Sequence, residues 1–208
     1  MKIKRISHAC IQIDTNGTII YLDPYEIGKK EKKADIILSS HEHYDHFDEK
    51  SVKNVQTKET TLIGPSSCPK IMKHSNVKGL VPGDHIESKG IKIEAIPSYN
   101  IGKKFHPKEN NWLGYILHIE GKRILFGGDT DLIPEYSELG EIDIAILPVG
   151  DTYTMDFSAA IKAAGVLKPK IVIPVHEWDS NLNDFKEKLE STYSDIETII
   201  LKDNIEEI

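Results

Sequence analysis

Short segments of strand length crowd the first half of the chain, with polar and apolar positions alternating at its start. The segments Lys2 to Ile6, Ala9 to Ile13, Thr18 to Leu22, Asp35 to Ser39, Thr60 to Ile63 and Ile91 to Ile96 are short and rich in β-branched residues, which predicts strands. Asn16-Gly17 lies between two of them and marks a two-residue hairpin, because such turns need positive φ at both central positions. Further strands are predicted at Gly114 to Ile119 and Arg123 to Gly127, joined across Glu120-Gly121-Lys122. Three more follow at Ile142 to Val149, Lys170 to Val175 and Glu197 to Leu201. Helical spacing enters only late. Phe157, Ile161 and Ala164 recur within Phe157 to Leu167, with Asp156 placed to cap it, and Leu182, Phe185 and Leu189 share one face of Leu182 to Tyr193.

Hairpins followed by a strand–helix–strand rhythm predict two packed sheets with helices outside, rather than a doubly wound parallel sheet. No solenoid-period repeat and no Pro/Gly/Ser linker divides the chain, so 1–208 is expected to form a single domain. Ser98 to Trp112 is a polar stretch without strand pattern and reads as a long loop of the kind that carries function.

Composition narrows the function classes. With 39% hydrophobic and 28% charged residues, the 208-residue chain can bury a sizeable core and is unlike a disordered sequence. Its 26 basic and 33 acidic residues leave a net charge of −7, which argues against a nucleic-acid partner. The one basic cluster, Lys29, Lys30, Lys32 and Lys33, is broken by Glu31 and is expected to be a solvated loop. Cys10 and Cys68 lack CxxC spacing, so neither a disulfide framework nor a cysteine zinc knuckle is expected. The start of the chain has no long apolar stretch, and the longest apolar runs, such as the one at 144–149, are strand-sized. A cytoplasmic protein without a membrane partner is therefore expected.

The densest chemistry is Ser39-Ser40-His41-Glu42-His43-Tyr44-Asp45-His46, directly after the apolar strand that ends near Leu38. His41 and His43 project to one side of an extended segment, and Asp45 and His46 follow where the chain can turn. Imidazole nitrogens and carboxylate oxygens are ligands that zinc, iron and manganese accept, with no thiolate nearby to bias the choice. Packing so many partly cationic groups together is unfavourable unless a cation binds their neutral forms. Glu42 and Tyr44 alternate away from this face and are left out of the site. His74, His85 and His118 have no motif context and are expected at the surface or in hairpins. His8 fits either a place near the site or a backbone-bonded interior position; Tyr99, Trp112 and Tyr153 fit either pocket lining or packing.

HxHxDH after a buried strand, Asp23-Pro24 after Thr18 to Leu22, Gly127-Gly128-Asp129-Thr130 after Arg123 to Leu125, and Pro174-Val175-His176 together resemble the motifs of the metallo-β-lactamase-fold hydrolases. More narrowly, Ser7 to Ile13, Phe105-His106-Pro107-Lys108, Trp112 to Gly114 and Tyr153-Thr154-Met155-Asp156 resemble the small UlaG-like branch of that family. The resemblance implies an α/β, four-layer αββα sandwich with metals at one edge of the two sheets. It implies two divalent metal ions, zinc foremost, with manganese, nickel or iron as alternatives. His41, His43 and His106 would hold one ion, and Asp45, His46 and His176 the other. Asp129 would bridge the two, and Asp23 would orient a ligand histidine. One departure concerns the histidine that the family usually places between the first cluster and GDT, where this chain has Pro97-Ser98-Tyr99-Asn100. His106 is the nearest candidate, with Asn100 or water as the alternative.

The implied activity is hydrolysis of an ester, lactone or phosphodiester-like bond in a small-molecule substrate by a hydroxide held between the metals, with Asp45 and Asp129 as catalytic carboxylates. A di-iron redox or oxygen-sensing protein is the alternative on this fold. Such relatives carry Glu where this chain has His43, and add a flavin domain. A metal-binding scaffold without catalysis is the third reading. A homo-oligomer is compatible with the sequence, which identifies no interface.

Overall fold

The computed structural model describes residues 1–201 and 205–208. Six strands open the chain and form most of one sheet: β1 (Lys2–Ser7), β2 (Cys10–Thr15), β3 (Thr18–Leu22), β4 (Ile36–Leu38), β5 (Thr61–Pro65) and β6 (Val77–Leu80). The next seven form a second sheet: β7 (His85–Ser88), β8 (Ile91–Pro97), β9 (Leu113–Ile119), β10 (Lys122–Phe126), β11 (Ile144–Pro148), β12 (Ile171–Val175) and β13 (Glu197–Thr198). The last strand, β14 (Ile205–Glu207), returns to pair with β1 at the edge of the first sheet. Among the described residues four α-helices accompany them: α1 (Glu49–Val55), α2 (Pro69–Met72), α3 (Phe157–Leu167) and α4 (Leu182–Thr192).

Most central strands are apolar on both faces because each face meets a different layer. Ile20, Leu22, Ile36 and Leu38 point inward and meet Tyr115, Ile124, Phe126, Ile144 and Ile146 of the opposite sheet. The alternate residues Ile19, Tyr21, Ile37 and Leu62 point outward onto Val52 and Val55 of α1 and Ile71 of α2. On the other side, Leu125, Ala145, Leu147 and Val172 pack under α3 and α4, where Ala160, Ala163 and Ala164 allow close approach and Phe185 and Leu189 fill the remaining volume. Three apolar cores between four layers make the αββα sandwich.

The turns follow their local chemistry. Asn16 and Gly17 both take positive φ, 49° and 82°, and Glu120 and Gly121 repeat the arrangement at 50° and 75°. Asp156 caps α3 by accepting from the Ala159 amide. Several elements carry too little pattern to be expected from the chain. Helix α1 has only Val52 and Val55 as its buried apolar residues, α2 is a single turn, and β6, β7 and β14 are short edge or near-edge strands. The predicted strand over Glu197 to Leu201 is shorter, pairing only Glu197 and Thr198 with β12. The four lysines at 29–33 are exposed between β3 and β4. Among the described residues, no helix is long and apolar enough to cross a membrane.

Strand direction positions the site. β3, β4 and β5 run parallel, as do β10, β11 and β12, so their C-terminal ends lie together at one edge of each sheet. The β1–β2 turn reaches the same edge, because β2 runs antiparallel to β3.

Candidate metal centre

Each motif residue leaves a strand at this edge. Asp23 directly follows β3 in a left-handed conformation, φ 45°, and is completely buried. Its carboxylate accepts from the Ser40 amide (2.6 Å), the Ser40 hydroxyl (2.7 Å) and Nδ1 of His46 (2.6 Å). Ser39 and Ser40 carry the chain from β4 into His41, and the loop then turns back, with the amides of His46 and Phe47 donating to the His43 carbonyl. Asp129 lies in the Gly127-Gly128-Asp129 turn after β10. His176 directly follows β12 at φ 61°.

Two groups of ligand atoms result, each lying within 4.8 Å of one another: His41, His43 and His106; and His8, Asp45, His46 and His176. Asp129 reaches both. Its Oδ2 is 3.2 Å from His106 Nε2 and 3.1 Å from His176 Nε2, and its Oδ1 is 3.3 Å from His46 Nε2. Asp23, His41 and His46 form a third such group. There the Asp23 oxygens are already committed to Ser40 and His46, so Asp23 supports the centre from behind.

The donor atoms fit a cation. Nε2 of His8, His46, His106 and His176 and Oδ1 of Asp129 are buried without a well-aligned hydrogen bond, although carboxylate oxygens lie 3.1–3.5 Å from the nitrogens, and His41 Nε2 lies 3.0 Å from His43 Nδ1. Unpaired buried polar atoms are costly, and a cluster of them aimed at common points is what bound cations would relieve. The buried carboxylates set the local electrostatics. Burial pushes the His41 imidazole well below its ordinary value, with the neighbouring His46 adding to the effect. Burial also opposes charge on His46, but the Asp129 and Asp23 carboxylates outweigh it and hold His46 well above its ordinary value. Asp129 is itself held well below the carboxylate range, since His46 and His176 override the burial that would raise it.

His106 is brought to the site although no strand places it there. The Asn100 amide donates to the His106 carbonyl (2.7 Å), and Asn100 Oδ1 pairs with His106 Nδ1 at 2.8 Å, leaving Nε2 toward the cluster. Asn100 therefore orients His106, with its own oxygen engaged. His8, for which the sequence left two placements open, lies at the second group, 3.5 Å from Asp45 Oδ2. Trp112 stacks on His41 at 4.7 Å and 30°, as a wall behind the centre. Tyr99 turns away and bonds Glu135. Glu42 accepts from the Lys70 amide away from the centre. Tyr44, set aside from the sequence, lines the cleft above the metal centre with Phe105, Tyr153 and Trp178. The alternation rule fails there because the segment bends after His43 instead of staying extended. The only sequence signals for Phe105 and Trp178 were their places beside His106 and two residues after His176. Both thiols are buried, which pushes Cys10 and Cys68 up to about 12 and keeps them unreactive.

Gly150, after β11, is tight against His176: an added Cβ would collide with the His176 carbonyl oxygen and lie 2.7 Å from Nδ1. Gly150→Ala is expected to displace His176, lower the metal content and cost about 1–3 kcal/mol of stability. Elemental analysis and thermal melting check this, and wild-type values for both would contradict the close fit.

Two sheets sandwiched between helices, with a histidine–carboxylate centre at the strand ends, define the class as metallo-β-lactamase fold. The chain belongs to the β-lactamase superfamily, whose domain profile matches residues 2–176, and is a metal-dependent hydrolase of that superfamily. A UPF0173 metal-dependent hydrolase of Carboxydothermus hydrogenoformans is 31% identical, with 90% of this chain and 92% of the relative covered. One from Archaeoglobus fulgidus is 27% identical over 97% of this chain and 96% of its own. The crystal structure of a protein from Parabacteroides distasonis named as a metal-dependent hydrolase superposes with a TM-score of 0.88. It shares 37% identity and covers 96% of this chain and 93% of its own.

Proposed function

We propose that this hydrolase holds two divalent cations, one on His41, His43 and His106 and one on Asp45, His46 and His176, with Asp129 between them. With these it cleaves an ester, lactone or phosphodiester-like bond in a small molecule. The carrying observation is that histidine nitrogens and carboxylate oxygens converge in two groups, with the single Asp129 carboxylate within 3.1–3.3 Å of His46, His106 and His176. Zinc suits this ligand set best, with manganese, nickel and iron as alternatives, since only imidazole and carboxylate are offered. Cations bound there would supply an activated water near neutral pH and stabilise the oxyanion that develops during attack.

The chain's own residues prepare that chemistry. Asp23 accepts from Nδ1–H of His46 and Asn100 Oδ1 from Nδ1–H of His106, so in the neutral rings the Nε2 lone pairs face the centre. Ser40 Oγ lies 2.9 Å from His41 Nδ1 and fixes that ring in the same way. Asp45 faces the cleft beside His8, which offsets burial and keeps its carboxylate ionised, and it can accept a proton from attacking water. The cleft, about 260 Å³, suits a small molecule.

The test is elemental analysis of wild type and His106→Ala, followed on the same samples by hydrolysis of 4-nitrophenyl acetate and bis-4-nitrophenyl phosphate before and after chelation. Two metals per chain in wild type, fewer in the variant, and turnover lost on chelation and restored by zinc or manganese are expected. A protein that takes up no zinc, manganese, nickel or iron would overturn the proposal.

A further inference from the structure

Among the described residues, eight large hydrophobic side chains are exposed, and four of them surround one opening. Tyr44 (67% exposed), Trp178 (51%), Phe105 (44%) and Tyr153 (37%) stand above the metal centre. They come from separate segments of the chain: the loop after β4, the loop between β8 and β9, the turn after β11, and the segment after β12. Phe105 and Tyr153 meet edge to face with centroids 4.5 Å apart, and Tyr153 and Trp178 lie 6.3 Å apart at 60°. Tyr44 is braced from behind by Tyr25 at 6.1 Å. Exposed aromatic surface gathered around a cleft marks a binding site, whereas scattered exposed residues would need no explanation.

Charge sharpens the chemistry. No lysine or arginine lines the opening. Lys103, on the same loop as Phe105, is turned to Asp131 Oδ1 (2.8 Å) and to the carbonyls of Asp151 and Thr154. Among the described residues that line this mouth a carboxylate or phosphate would meet no lysine or arginine, the exposed Lys104 beside Phe105 lying outside the lining, while a flat apolar ring would find faces and edges already set at the angles aromatic pairs prefer.

We propose that this aromatic mouth is the specificity site for a substrate whose portion remote from the scissile bond is uncharged and carries an apolar aryl group, an assignment that rests on the hydrolase reading above. Trp178 and Phe105 are its principal contacts, and Tyr153 holds the two in register.

Three 4-nitrophenyl esters with a common leaving group test this: the 3-phenylpropanoate, the acetate and the anionic hemisuccinate. The phenylpropanoate is expected to exceed the hemisuccinate in kcat/KM by roughly 30-fold or more. Trp178→Ala and Phe105→Ala should each cut it about 3- to 10-fold, the worth of one aromatic contact, with a clearly smaller loss on the acetate and with the metal content retained. Equal or better use of the hemisuccinate, or parallel losses on acetate, would overturn the proposal. A second measurement does not depend on turnover. The uncleavable ketone 4-phenylbutan-2-one, added to the protein as isolated, should quench tryptophan fluorescence saturably, and more weakly in Tyr153→Ala. If no ester is cleaved, the ester form of the proposed reaction fails and the ketone titration still decides the mouth. Absence of saturable quenching, or ring-dependent binding to phosphatidylcholine vesicles in its place, overturns it.

Discussion

Asp129→Ala is expected to abolish metal-dependent turnover and to leave the protein with fewer than two metals per chain. The Asp129 carboxylate lies within 3.1–3.3 Å of His46, His106 and His176 together. Its removal leaves both proposed cations without their common anion in a site where water is largely excluded. A loss of about a thousandfold or more in kcat/KM is expected, equivalent to roughly 4 kcal/mol at ~1.4 kcal/mol per factor of ten. Asp129→Asn separates charge from shape, because it keeps the volume and one carbonyl oxygen but not the negative charge. It should bind metal weakly and remain inactive while still folding. Elemental analysis, ester hydrolysis and a melting curve on both variants check this. Turnover within tenfold of wild type in either variant would refute the bridging role.

Asp23→Asn should be nearly as damaging, although Asp23 is not among the residues that line the cleft. The carboxylate accepts three hydrogen bonds while fully buried, so an amide in its place must present NH2 to at least one donor. If the amide NH2 faces His46 Nδ1, the imidazole shifts its proton to Nε2, which is the atom aimed at the centre. If it faces Ser40, a buried backbone amide is left unpaired. The expected result is a 10- to 100-fold loss of metal affinity, the usual scale for groups that orient a ligand histidine. The melting temperature should fall as well. Asn tolerates the left-handed backbone at this position, so the effect reports the lost hydrogen bonds and not backbone strain. Metal titration with NMR observation of the His46 ring nitrogens tests both parts. An unchanged tautomer together with unchanged affinity would disprove the tautomer mechanism.

Much of the fold is legible in the chain because its code is local. Period-2 patterning marks β1, β2 and β8, short apolar runs mark β3 to β5 and β9 to β12, Asn16-Gly17 and Glu120-Gly121 mark their turns by the φ each requires, and Asp156 marks the start of α3. The elements that were not legible are those with little of their own to bury. Helix α1 offers two valines, and α2, β6, β7 and β14 draw their stability from neighbours already in place.

The site divides in the same way. The sequence by itself determined the run His41, His43, Asp45 and His46, because those residues lie within six positions of one another directly after a strand. It also marked Asp23, Asp129 and His176 as strand-end residues by motif resemblance. Only the tertiary structure decided that His8 approaches Asp45, that Asn100 turns His106 inward, and that Tyr44, Phe105, Tyr153 and Trp178 share one mouth. Those residues are far apart along the chain and lie in turns and loops, where no periodicity fixes a side chain's direction. They meet because parallel strands in both sheets deliver their C-terminal ends to one edge, and buried hydrogen bonds between distant loops then select each orientation.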